Sequence, residues 1–547
     1  MAMRFLRKLR LRSRGKNAGK ESKVKQTGKI SHHYASPPAP RYDLTTRLPR
    51  KILARIFAQV CPHTLDHSYR SSEESMTEDG CMLCDMRDLA HCVLVCKHWL
   101  LEARALLYRN IRIDPVHYCE LEIELAAKRT HRSFFDRNGD PIDAPKMRLE
   151  LLMRTVRESQ ELANMILSLR MPYMTREASK AELARTISVL QNLRYVDLPA
   201  GVFSDDATSH TLKQELMIRC PQIRRMKYAQ GSEGSFGQIP GSRLWMHLEE
   251  LELSGLQVED RTLRLVLNSF PRLQALKVEG LPLLEDSTFS QVRTMPLFPP
   301  VQRLVLRNTP GVTATGLATY LSFSQNQAAL THLTLSNTGV MPCTLHRILI
   351  TAPSLLHLTV IQEVDRSFPQ ESTPLLSSKS LRSMHYEITS ESSSYALQRM
   401  SNSYYTYLIS SLTSNSLPTL HELYVRDANF PETLLLTPPP RLFGGGESGP
   451  QYHSLGFTQP LAIYSKGIDE LEWNFTQYEP LATGRRGSVT RPVSFQEAQL
   501  SPSWGGETRR SVLVGNGFGG FLAVPVDEGR PKSSGGLRRD SRHDLWR

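Results

Sequence analysis

Five residues in one short stretch carry side chains suited to metal chemistry: Cys61, His63, His67, Cys81 and Cys84. Thiolate and imidazole are the usual ligands of structural zinc, and a C-x-x-C pair forms half of many such sites. The full spacing, C-x-H-x3-H-x13-C-x2-C, matches no assigned finger. Zinc and a loop of buried or free thiols therefore both stay open. Gly515, Gly517 and Gly520 match the spacing of a dinucleotide-binding turn. That turn needs a strand before it and a helix N-terminus after it to hold the pyrophosphate. Phe521-Leu522-Ala523-Val524-Pro525 follows instead, and no βαβ unit fits the 27 residues after Gly520. Asp136, Asn138 and Asp140 begin a calcium-loop pattern, but Met147 stands where the bidentate glutamate belongs. Gly19-Lys20 is followed by Glu21, which breaks a phosphate loop. Neither H-E-x-x-H nor G-x-S-x-G occurs. The sequence nominates no catalytic centre, no cofactor and no small-molecule substrate.

Charge narrows the partners. The 547 residues carry a net charge of +13. Residues 1–30 hold eleven Lys/Arg against one acid, and residues 481–547 hold eleven against six, so the remaining 450 residues sum to −2. The basicity sits in the two ends, and the body lacks the charge of a domain built to grip nucleic-acid phosphates. Residues 1–40 and 477–547 are polar, basic and rich in Gly, Ser and Pro, and are expected to be disordered. Arg7 to Lys16 suits a nuclear localisation patch, while Phe5, Leu6 and Leu9 leave an organelle-targeting or membrane-surface role open. Arg485-Arg486-Gly487-Ser488 and Arg509-Arg510-Ser511 resemble sites for kinases that prefer basic residues, as chance triplets in basic tails also do. No apolar run reaches the roughly 18 residues of a membrane span. Eight cysteines are too few for a disulfide scaffold, so a reducing compartment, cytoplasm or nucleus, is expected.

A repeat runs through the body. Large apolar residues at i, i+3 and i+5 recur as LxxLxL, beginning with Ile166/Leu169/Met171, Leu193/Val196/Leu198 and Ile223/Met226/Tyr228. They continue as Leu248/Leu251/Leu253, Leu273/Leu276/Val278, Val301/Leu304/Leu306, Leu330/Leu333/Leu335 and Leu355/Leu358/Val360. Leu381/Met384/Tyr386, Leu420/Leu423/Val425 and Ile468/Leu471/Trp473 complete the series. Eight of the ten spacings fall within 25–30 residues. Pro221, Pro271, Pro353 and Pro418 stand two residues before a first anchor, where proline ends a helix and biases its neighbour to an extended form. Leu263, Val266, Leu267 and Phe270 are spaced as a helix face between anchors. Each unit reads as strand, turn, helix, proline. One such unit cannot bury its own apolar face, and only a stack of them can.

This pattern resembles the leucine-rich repeat family over about 310 residues, 166–475, in its irregular form, because the usual Asn or Cys after the strand is mostly missing. The resemblance implies an α/β solenoid whose strands form a parallel sheet on the concave side. Positions i+2, i+4 and i+6 then face outward. They include Arg225, Lys227, Glu250, Glu252, Arg303, Arg307, His357 and Arg426. Alternation of sign along this face suits a specific protein partner better than a polyanion.

Ahead of the repeats, Leu48-Pro49 opens a helix with Ile52, Leu53, Ile56 and Phe57 on one face. A second stretch runs from Asp88-Leu89 through Cys92, Val95, Cys96, Lys97 and Trp99 to Ala103, Leu106, Leu107, Tyr108, Ile111 and Ile113. Together these resemble the F-box, and in combination with the repeats the F-box proteins of filamentous fungi. The resemblance implies a three-helix module that binds the Skp adaptor of a cullin–RING ubiquitin ligase of the SCF type. On that match Leu48, Pro49, Ile52, Leu53, Ile56 and Phe57 face the adaptor, supported by Leu89, Val95 and Trp99. Equally, these residues serve as the core of a small helical domain. Lys51 departs from the family, which often has an acid there.

The expected layout is a basic tail (1–40), the F-box (41–115) with an insertion near 61–85, a helical connector (116–160) with a loop at Asp136–Pro145, the solenoid (161–476) with an excursion at 431–466, and a second tail (477–547). The expected role is a non-catalytic substrate receptor of an SCF ligase. The alternative is a protein-binding scaffold with no ligase role.

Overall fold

The computed structural model describes residues 44–60, 87–113, 143–171, 173–369, 373–390, 395–436, 460–467, 470 and 472–478. The zinc-candidate residues, the insertion, the first basic tail with residues 41–43, the connector before residue 143 with Asp136, Asn138 and Asp140, residues 437–459 and the second tail from residue 479 lie outside the described residues.

The anchors build one parallel stack. Ten triplets, from Ile166/Leu169/Met171 to Leu420/Leu423/Val425, are buried at every position in a single apolar core. Strands β1 (Asn110–Arg112), β2 (Ser168–Arg170) and β3 (Tyr195–Val196) form a three-stranded parallel sheet. A ten-stranded sheet follows in sequence order. Its members are β4 (Arg225–Ala229), β5 (Glu250–Ser254), β6 (Ala275–Glu279), β7 (Arg303–Thr309) and β8 (His332–Thr338), then β9 (His357–Val364), β10 (Ser383–Ser390), β11 (Glu422–Val425), β12 (Leu461–Ser465) and β13 (Asn474–Tyr478). All pairs are parallel except β12 with β13. The middle anchors align across strands, Met226 with Leu251, Leu276, Leu304, Leu333 and Leu358.

The stack is stitched at its entrance by shared carbonyls. The Arg224 oxygen accepts from the N–H of both Glu249 (2.7 Å) and Glu250 (2.9 Å). The same pattern runs through Gln274, Gln302, Thr331, Leu356 and Arg382. A bond from Arg224 N to Arg194 O (2.9 Å) ties the two sheets together. A carbonyl has two lone pairs, so no backbone group in this row is left unpaired.

At i+7 the chain leaves the strand through the left-handed region: Gly255 (φ 67°), Gly280 (φ 62°), Asn308 (φ 50°) and Asn337 (φ 49°). Glycine and asparagine are the residues that tolerate this. Between strands, helices such as Asp260–Asn268 and Leu345–Thr351 bury Leu263, Val266, Leu267, Ile348 and Leu349 against the anchors. The helices therefore cover one face of the sheet, and the i+2 and i+4 side chains lie on the other, open face.

The front of the chain is a separate small core. Helices α1 (Arg50–Ala58), α2 (Arg87–Val95) and α3 (Lys97–Arg109) bury Leu53, Phe57, Ala58, Leu89, Ala103 and Leu106 together. Trp99 seals it, edge-on to Phe57 at 5.0 Å, with its indole N–H donating to Thr45 Oγ1 (2.7 Å).

The structure moves four sequence-based boundaries. The array does not begin at 161, because α3 runs straight into β1, whose Ile111 pairs with Leu169. Ile113 is buried in the main core and Ile111 packs half-buried against it, but the 52 residues between Ile113 and Ile166 hid the period. In the connector, Asp143 and Pro145 belong to the start of a helix, Ala144–Glu158, with Asp143 accepting from Lys146 N (2.8 Å). The excursion at 431–466 is shorter, since Phe430–Leu436 is helical and Leu461–Ser465 is a repeat strand. There Ile463 aligns with Leu423, while Pro460 and Ser465 stand where apolar anchors were expected, so the unit was invisible as LxxLxL. Trp473 is correspondingly not an anchor, and Ile468 and Leu471 lie outside the described residues. β13 also reaches Tyr478, two residues past the expected end of the array.

Candidate functional site

Two surfaces stand out, one on the helical front and one along the sheet. On the helical front, α1 divides its apolar residues between two jobs. Leu53 and Phe57 are 1% and 2% exposed, whereas Ile52 and Ile56 are 46% and 49% exposed. Residues three and four apart share a helix face, so Ile52 and Ile56 form one apolar stripe. Pro49 and Val60 extend its exposed side, and Leu48 is half-buried. The expectation that Leu53 and Phe57 also face a partner is thus corrected, since a fully buried side chain has no surface to offer. Leu89 is buried in the small core, and Trp99 packs half-buried against it. Val95 is 59% exposed at the end of α2, beside Leu94.

The second surface is the open face of the sheet. Its first half is neutralised internally. Arg225 lies 3.6 Å from both Glu250 and Glu252, Lys227 lies 2.7 Å from Glu252, and Lys277 lies 3.1 Å from Glu250. Burial alone would raise the Glu252 carboxyl, but Lys227, Lys277 and Arg225 outweigh it and hold it below the usual range. A cleft of about 270 Å³ opens here, lined by Tyr195, Asp197, Arg225, Lys227 and Glu252 among others. Its floor is structural. The buried Asp197 carboxylate accepts from Met171 N (2.7 Å) and from the Tyr195 hydroxyl. Burial and the Asp197 charge push the Tyr195 phenol well up, so it stays a neutral donor.

The second half carries rings and different charges. Arg303 and Arg307 are exposed. Beside Arg303, His332 and His357 stack at 4.3 Å. Further along, Tyr424 and Tyr464 stack at 4.4 Å, 7° from parallel. Trp473 stands edge-on to Tyr424 (5.5 Å) and His385 (5.4 Å), and Phe475 flanks Tyr464 at 5.3 Å. The Lys466 ammonium lies 4.1 Å from the Trp473 ring centre, a cation–π contact. Glu387 binds His385 (2.6 Å), with Arg426 at 3.5 Å and Lys466 at 3.7 Å. The His385 bond leads these in holding the Glu387 carboxyl below its usual range.

The structure thus assembles Arg225, Lys227, Glu250 and Glu252 into one cluster, puts His357 in a ring stack, and sets Arg426 beside Glu387. The ring cluster of Tyr424, Tyr464, Trp473 and Phe475 went unread in the sequence. Its signal was the i+4 position, held by His385, Tyr424 and Tyr464 in three successive units. Among the described residues no group of three or more metal-ligating side chains comes together, and no helix is long and apolar enough to cross a membrane.

No protein-family model matches the chain, and no curated protein matches it. Among solved structures it is similar to the Rad7 and Elc1 complex in yeast, at 14% identity and a TM-score of 0.34, over 51% of this chain and 67% of that one. A likeness of that size carries no functional weight.

Proposed function

We propose that this chain is the substrate receptor of an SCF-type cullin–RING ubiquitin ligase. Helices α1–α3 would act as an F-box on a Skp-type adaptor, and the stack as a leucine-rich-repeat array that holds a protein substrate on its open face. The chain itself would make and break no bonds. It would raise the local concentration of a substrate lysine near a separate conjugating enzyme. The cytoplasm, the nucleus or both would be its place of work.

The observation that carries this reading is the split on α1. Ile52 and Ile56 are exposed over a core that is already complete without them. An apolar stripe left outside a finished core is the pattern of a docking helix. The join supports it too, since α3 passes into β1 without a linker and Arg104 on α3 pairs with Glu161 of helix Gln160–Met165. A receptor needs such stiffness to hold a substrate at a set distance.

That same join favours a second reading, in which α1–α3 only cap the end of a binding scaffold. A pull-down with purified Skp adaptor separates the two, using wild type and Ile52→Ala/Ile56→Ala, with circular dichroism to confirm equal folding. Capture by wild type and loss in the variant supports the receptor. A well-folded wild type that captures no adaptor leaves the scaffold.

A further inference from the structure

Along the open face, the cations are handled in two ways. On β4 to β6 every basic residue meets an acid: Arg225, Lys227 and Lys277 with Glu250 and Glu252. On β7 the pattern stops. Arg303 and Arg307 are exposed, and no carboxylate lies within ion-pair distance of either among the described residues. The strands beyond them carry rings: His332 and His357, then His385, Tyr424, Tyr464 and Phe475, with Trp473 alongside.

We propose that the half of the open face from β7 to β13 docks one extended segment of a partner protein, with carboxylates over Arg303 and Arg307 and aromatic or large apolar side chains on the Tyr424–Tyr464–Trp473–Phe475 cluster. This rests on the reading of the open face as the substrate surface, and it is independent of the adaptor. Three observations shape the occupant. At β7 the charges without an ion pair among the described residues are Arg303 and Arg307, so the complement of that end is acidic, while Glu422, exposed on β11, denies an acidic partner at the ring end. Arg303 and Arg307 are four residues apart on one strand, about 13 Å between Cα atoms. Two cations so separated fit two carboxylates spaced along a chain, rather than a single phosphate, which is held by converging donors. Rings with one open flank, Phe475 being 58% exposed, are the anchors that dominate protein interfaces.

Length follows from the sheet. β7 and β12 are five strand spacings apart, about 24 Å, which about seven extended residues cover, and the leg along β7 that reaches both arginines adds about four more. The occupant is therefore a short linear segment and not a folded domain face.

The test selects twelve-residue peptides from an unphosphorylated phage-displayed library on the full chain and measures the enriched peptides by fluorescence anisotropy. Asp/Glu in one half and aromatic or large apolar residues in the other are expected. Arg303→Ala/Arg307→Ala and Phe475→Ser/Tyr464→Ser should each weaken binding by about tenfold or more, the scale of a hot-spot truncation. Lys227→Ala, in the neutralised half, should leave it unchanged. The arginines and Phe475 are exposed, and circular dichroism checks that each variant folds. No enrichment, enriched peptides indifferent to both double variants, or binding only after phosphate replaces the carboxylates would each overturn the proposal. Adaptor capture is scored separately, so peptide failure with adaptor capture removes this inference alone, and the reverse removes the ligase role alone.

Discussion

The imidazoles of His332 and His357 lie 4.3 Å apart and 16° from parallel on neighbouring strands. Two protonated rings cannot share that space cheaply. Burial, with His357 and Arg303 nearby, brings His332 down from 6.5 to about 4, and His357 is lowered too, chiefly by burial. A base whose folded value is depressed contributes stability that is fully present above its unfolded value. That stability is lost as pH falls from about 6.5 towards about 4. Urea unfolding at stepped pH should show wild type losing stability through this window faster than His332→Asn. Parallel curves would count against the account.

Neighbours on α1 should respond unequally to truncation. Phe57→Ala removes a ring packed on Trp99 in the small core and should cost about 3–5 kcal/mol of that module's stability. Ile56→Ala trims a half-exposed side chain and should stay within about 0.5 kcal/mol. Hydrogen exchange of α1–α3 amides reads both. Equal effects would mean that the module packs differently.

Gly339 follows β8, where a Cβ would come within 2.3 Å of the Pro310 carbonyl oxygen and 2.8 Å of that of Val312. Both obstacles are backbone, so the chain itself must shift. Gly339→Ala is expected to destabilise by about 1–3 kcal/mol in urea. Gly241→Ala, with nothing within 4 Å, is the control and should show no such loss.

Arg264 is a fully buried cation with no solvent contact. Its Nε donates to Asp260 Oδ1 (3.0 Å), Nη1 to the Ser290 carbonyl (2.8 Å) and Nη2 to the Ser287 carbonyl (2.8 Å). It thereby clips one repeat to the next. Arg264→Met removes the donor from the Ser290 carbonyl and from Asp260, while the Ser287 carbonyl keeps its bonds from Ser290, and should cost about 1–3 kcal/mol. Thermal melts that barely move would show that the array closes the gap by itself.

Repetition explains what the sequence revealed. Ten LxxLxL triplets identified ten buried strands because each anchor is a large side chain with one possible destination, the core behind the sheet. Ile113 and Ile463 have the same destination and were missed. One precedes a 52-residue gap, and the other is flanked by Pro460 and Ser465 instead of apolar anchors. The open face was harder to read, because its side chains answer to each other rather than to the core. Glu250 could be assigned outward from its position alone. That it joins Arg225 and Lys277 depends on registry between strands 25 residues apart. The surface on α1 was half legible for a related reason: the apolar face at Ile52, Leu53, Ile56 and Phe57 was visible, but not which pair would be spent on the inside.

Between Arg109, the last residue of α3, and Asn110, the first of β1, there is no spacer. A helix turns by about 100° per residue and a strand by about 180°. The compass bearing of the front module relative to the sheet is therefore written in a residue count, that from Trp99 to Ile111. One residue inserted at this seam would leave both cores intact and swing one by about a quarter turn or more against the other. The seam works as an angular setting, sensitive to length and indifferent to composition.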